Sequence, residues 1–162
     1  MHIETCYRGL KAALLAWLAV GAIFIGPSAS AADTLDLSQY RGKVVLVDFW
    51  ASWCAPCRHS FPWLNDMQAK YGARGLVVIG VNVDRERAEA ERFLRDVPAR
   101  FAIVYDPSGA LASTYDVPGM PTSFVFGPDG KLIGKHIGFK QGSRAEREAE
   151  LQQLLPGAAR PD

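Results

Sequence analysis

Two cysteines separated by two residues, Cys54-Ala55-Pro56-Cys57, follow closely on an apolar, largely β-branched run, Val44-Val45-Leu46-Val47-Asp48-Phe49-Trp50. That junction leaves few choices of fold. The run lacks polar alternation, the pattern of a strand covered on both faces. After a short turn, Pro56 suits the start of a helix, where its missing N–H would have no intrahelical partner anyway.

The placement of the sulfurs suggests their chemistry. A thiol at a helix N-terminus meets the positive end of the helix dipole and unpaired backbone N–H groups, and both favour the thiolate. Cys54, the first and expected to be exposed, is the candidate nucleophile. Cys57, nearly one turn further in and facing inward, is the candidate resolving thiol. Asp48 lies mid-strand, where an ionised carboxylate is costly to bury. Burial is expected to raise its pKa and let it accept the proton of Cys57. The plainer alternative is an aspartate that reaches solvent at a strand end.

The 162 residues, 49% of them hydrophobic, suffice for one domain with a substantial core. Eighteen basic residues stand against 17 acidic ones, which argues against nucleic acid or an anionic membrane as the main partner. Met1 to about Ala32 reads as a signal peptide. Arg8 and Lys11 open it, Ala12 to Ile25 is apolar but short for a membrane span, and Ala29-Ser30-Ala31 suits cleavage. An uncleaved anchor is the alternative; both place the domain, residues 33–162, outside the cytoplasm.

Cys6 falls in the leader, so Cys54 and Cys57 are the only cysteines left to the domain. One pair cannot supply a four-cysteine zinc site, and His59 and His136 lack ligand spacing. Arg58 stands where haem attachment would need histidine. No metal site is expected.

Further along, a helix is expected from about Pro56 to Tyr71, kinked at Pro62. A buried strand follows at Leu76 to Val83, then a solvated helix from Arg85 to about Asp96. Ala102 to Tyr105 reads as a third strand leading into a helix through Tyr115. Gly127-Pro128-Asp129-Gly130 joins a hairpin, with His136 on the solvent side of its second strand. Ser143-Arg144-Ala145-Glu146 reads as a capping box opening a last helix. His59 is expected to point outward.

Val47-Asp48-Phe49-Trp50-Ala51-Ser52-Trp53-Cys54-Ala55-Pro56-Cys57-Arg58 resembles the active-site signature of the thioredoxin superfamily, including the acid six residues before the first cysteine. From about Leu37 to Leu155 the chain is similar to the TlpA/ResA-like thiol–disulfide oxidoreductases exported from the bacterial cytoplasm. The resemblance implies an α/β, thioredoxin-like fold: a central mixed β-sheet flanked by helices, with an extra strand–helix insertion before the cis-Pro loop. Peroxiredoxin-like branches share that insertion but lack a Trp-Cys-x-x-Cys motif, and are set aside on that ground. Met120-Pro121 is implied to be a cis bond facing the cysteine pair, with the backbone of Met120 offered to an extended client segment by strand addition. An ordinary loop proline is the alternative. Trp53, Ala55, Pro56, Met120 and Pro121 are thus the expected client-binding residues. An N-terminal hairpin, usual in such proteins before Arg41-Gly42-Lys43, is expected to be shortened or absent.

The implied reaction is dithiol–disulfide exchange, with Cys54–Cys57 as the redox-active disulfide and no metal, flavin or nucleotide. Protein disulfide or dithiol clients and a membrane electron donor of the DsbD/CcdA type are the implied partners of a monomeric, periplasmic protein. Ala55-Pro56 lies closer to the Gly-Pro of reducing members than to the Pro-His of oxidising ones. That favours a reductase, with apocytochrome c or a copper-site protein as client. A thiol oxidase or disulfide isomerase is the rival enzyme; a metallochaperone or binding module with a structural disulfide is the rival outside enzymes. One departure stands out: many ResA-like proteins carry Glu three residues after the second cysteine, where this chain has Ser60, and several lack an acid at Asp48.

Overall fold

The computed structural model describes residues 34–156; the expected signal peptide lies outside the described residues. Strand β1 (Val44–Trp50) is the centre of a five-stranded mixed sheet. It pairs in parallel with β2 (Leu76–Asn82), which pairs in parallel with β3 (Ala102–Tyr105). On its other side β1 runs antiparallel to β4 (Thr122–Phe126), and β5 (Leu132–Ile137) completes the hairpin, giving the order β3-β2-β1-β4-β5. Parallel neighbours need crossover connections, and α1 (Ala55–Tyr71) and α2 (Arg87–Asp96) supply them. The short α3 (Ala110–Thr114) precedes β4, and α4 (Arg144–Leu154) follows β5.

Every residue of β1 is buried because both faces of the sheet are covered. Val44, Leu46 and Trp50 face a cluster built with Phe61, Leu64 and Met67 of α1, Phe93 of α2 and Leu151 of α4. Trp50 packs edge-on to Phe61 at 4.9 Å and tilted against Phe93 at 4.9 Å, so its role is in the core. Val45, Val47 and Phe49 face the opposite layer, formed by Phe124, Phe126 and the segments around Leu37, Tyr40, Leu111 and Tyr115. Before β1 the described chain has one 3-10 turn (Ser38–Tyr40) and no strand. No helix among the described residues is long and apolar enough to cross a membrane.

Two local expectations change. The hydroxyl of Ser143 donates to Lys140 O and accepts no bond from the first turn of α4, because a 3-10 turn (Gln141–Ser143) leads into that helix. His136 does not face open solvent: its ring is half-buried against α4, with Nε2 2.7 Å from Glu150 Oε2.

Candidate active site

The turn after β1 makes Cys54 the N-cap of α1, with Pro56 in the first turn. A helix start leaves backbone N–H groups without intrahelical partners. One of them, Cys57 N–H, donates to Cys54 Sγ at 3.2 Å. Cys54 and Cys57 form a disulfide, with Cα atoms 5.3 Å apart. Cys57 is fully enclosed, and Cys54, expected to be exposed, is only 4% exposed. The cause is packing: both sulfurs belong to the α1-side cluster, against which Met120 rests. Ala55 and Pro56 are exposed beside the pair, and Trp53 projects into solvent at 68% exposure.

The Met120–Pro121 bond is cis, as the resemblance implied, and Pro121 is buried. Its loop is held by Gly138 N–H donating to Pro121 O at 2.7 Å and by Thr122 Oγ1 donating to Gly119 O at 2.7 Å.

Alternation along β1 sends Asp48 to the same side as Leu46 and Trp50, the side covered by the helix that carries Cys57. The carboxyl is 1% exposed and does not reach solvent at a strand end. Ser123, its register partner on β4, donates from Oγ to Oδ1 at 2.6 Å, while Oδ2 is buried with no protein partner. Burial outweighs this bond and the more distant pull of the Arg147 charge, pushing the pKa of Asp48 up to about 7. A carboxyl so placed can take up and give back a proton near neutrality.

Two supports had no role in the sequence reading. Asp84, just beyond β2, accepts from Ser52 N–H at 2.9 Å, Ser52 Oγ at 3.0 Å and Asn82 Nδ2 at 2.7 Å, tying the active-site turn to the sheet. Ser60, where many ResA-like proteins have Glu, is buried and donates to Cys57 O at 3.1 Å. A polar residue at the end of an apolar strand was the only sequence signal for Asp84. His59 is exposed on α1, as expected.

The AhpC/TSA family matches residues 24–135. Among curated relatives, a thiol-disulfide oxidoreductase ResA of Bacillus cereus is 30% identical over 122 residues, covering 75% of this chain and 69% of the relative. ResA of Geobacillus kaustophilus is 31% identical over 120 residues, covering 74% and 68%. Among solved structures, a Chlorobium tepidum protein assigned as the thiol:disulfide interchange protein DsbE is 47% identical, with a TM-score of 0.67 over 70% of this chain and 82% of the other. StoA of Bacillus subtilis, at 24% identity and a TM-score of 0.58 over 67% and 84%, shares the fold.

Proposed function

Since the chain belongs to the AhpC/TSA family and is a thioredoxin-type thiol–disulfide oxidoreductase, we propose that it reduces protein disulfides outside the cytoplasm, with Cys54 as nucleophile, Cys57 as resolving thiol and Asp48 as proton acceptor. The Cys54 thiolate attacks one sulfur of a client disulfide; a Cys54–client bond forms and the other client sulfur leaves as thiolate. Cys57 gives its proton to Asp48 and attacks Cys54 Sγ. The Cys54–Cys57 bond forms and the second client thiolate departs. The client gains two electrons, and the enzyme's dithiol loses them.

The observation that carries this reading is the bond from Cys57 N–H to Cys54 Sγ at the mouth of α1, since hydrogen bonding to sulfur favours its charged form. Trp53, Ala55, Pro56 and Met120 form the client-docking surface around the pair, with the cis bond to the buried Pro121 setting the backbone of Met120. The electron pair resides in the two sulfurs, and the reaction draws on no other cofactor. The domain, residues 33–162, works as a monomer in the periplasm behind the leader at residues 1–32, recharged by a membrane donor of the DsbD/CcdA type. Apocytochrome c or a copper-site protein is the client class.

Insulin reduction and the reduction potential against glutathione test this. Activity lost in Cys54→Ser, with a potential nearer roughly −270 mV than −120 mV, supports the reductase. An oxidising potential overturns the direction, and activity surviving in Cys54→Ser overturns the mechanism.

A further inference from the structure

A proton accepted by Asp48 and not returned to Cys57 has to pass to solvent, and bulk water does not reach a carboxyl that is 1% exposed. Ser123 donates to Asp48 Oδ1 at 2.6 Å. It also lies across the β4–β5 pairing from His136, and the two line a narrow pocket of about 10 Å³ with Arg147 and Glu150, between the apolar side chains of Leu46, Trp63, Val125 and Leu151. Space of that order is at the lower limit for a single water, whose polar partners here would be drawn from Ser123, His136, Arg147 and Glu150. His136, Arg147 and Glu150 also line an open surface groove with Ser143 and Glu146. His136 Nε2 and Glu150 Oε2, 2.7 Å apart, stand where cavity and groove meet.

We infer that Ser123, the cavity beside it and the His136–Glu150 pair form a proton conduit joining Asp48 to solvent between β5 and α4. The inference rests on the reading of Asp48 as proton acceptor. When Asp48 has taken the proton of Cys57, the Ser123 hydroxyl turns to accept from Oδ1 and donates its own proton to a water in the cavity. The imidazole, with one nitrogen able to accept as another donates, carries the proton to the groove. One proton enters from Cys57 and one leaves at the surface, while the electron pair stays with the sulfurs.

The charged groups around the path have distinct positions. Arg147, 9% exposed, donates from Nη2 to Gly138 O at 2.8 Å, and its charge opposes, without outweighing, the burial that favours protonated Asp48. Glu146 and Glu150 of α4 act electrostatically on Arg147 from the groove side. Arg144 is turned toward Phe139 and His59 O, away from the cavity lining. These residues are positioning and relay groups; none touches the reacting sulfurs.

Stopped-flow oxidation of the reduced full chain by glutathione disulfide separates the steps. The expected results at pH 7 are about a hundredfold slower resolution of the Cys54–glutathione mixed disulfide in Asp48→Asn, and, in Ser123→Ala and His136→Ala, unchanged resolution followed by about fivefold slower proton exchange with a pH-indicator dye. Alkylation of Cys54 by iodoacetamide is expected to be unchanged in the latter two. Free imidazole at constant ionic strength restores proton exchange in His136→Ala, a response that a merely structural defect would not give, and Ser123→Thr keeps the wild-type exchange rate. Asp48→Asn slow in resolution but His136→Ala exchanging protons at the wild-type rate, or slowly and unmoved by imidazole, overturns the conduit alone. Asp48→Asn resolving at the wild-type rate overturns the premise and the conduit with it.

Discussion

Ser123 and Asp48, seventy-five residues apart in the chain, are joined by a 2.6 Å hydrogen bond across the β1–β4 pairing. One neutral donor satisfies one oxygen, and the other oxygen is left buried without a protein partner. Desolvation therefore exceeds what the bond returns, which is why the carboxyl titrates at about 7.

A dependence of stability on pH follows. Between the ordinary carboxyl range and pH 7 the folded protein holds a proton that the unfolded chain has released. Stability therefore falls as pH rises through that interval and levels off above about 7. The full penalty is on the order of 4 kcal/mol. Denaturant midpoints of the oxidised protein at pH 5 and pH 8 are expected to differ in that direction, and Asp48→Asn to flatten the difference and stabilise at pH 8.

The sulfurs differ in access and in partners. In the reduced protein Cys54, which keeps some surface and faces the Cys57 N–H, is expected to react with iodoacetamide at pH 7 at least about ten times faster than the enclosed Cys57. Peptide mapping after limited alkylation reads the ratio; equal labelling contradicts it.

Asp84→Ala leaves Ser52 N–H and Asn82 Nδ2 without their acceptor in a buried setting. The cost is about 2–4 kcal/mol, read from chemical denaturation. The alkylation rate of Cys54 is expected to drop as the turn loosens.

Trp53→Ala separates docking from folding. With the side chain 68% exposed, stability is expected to stay within about 0.5 kcal/mol. Insulin reduction is expected to fall about fivefold, which is about 1 kcal/mol of client binding. Oxidation by a small disulfide changes little.

Gly80 pairs with Asp48 in register, and a Cβ there would meet side-chain atoms of Ile103 and Phe101 at 3.0 Å and Trp50 Nε1 at 3.1 Å. Gly80→Ala is expected to destabilise by about 1–3 kcal/mol through overpacking, read as a lowered denaturant midpoint.

Much of this arrangement is legible in the chain because its causes are local. The apolar run before Cys54 coincides with β1 from Val44 to Trp50, and α1 ends at Tyr71 as the glycines after it suggest. The hairpin around Gly127 to Gly130 sits where the turn residues place it. The extra strand–helix unit appears as β3 and α3. Pro62 lies inside α1 without ending it, since packing of Phe61, Leu64 and Met67 holds the helix on either side.

By itself the sequence determined the elements, their order and the cysteine pair at a helix start, because hydrophobic period, turn chemistry and capping act over a few residues. Only tertiary structure decided that Ser123 stands opposite Asp48, that α4 brings Arg147 and Glu150 to the same cavity as His136, and that Cys54 is nearly enclosed. Those outcomes depend on strand register and helix docking between distant segments, where a slip of one residue would turn a side chain to the opposite face.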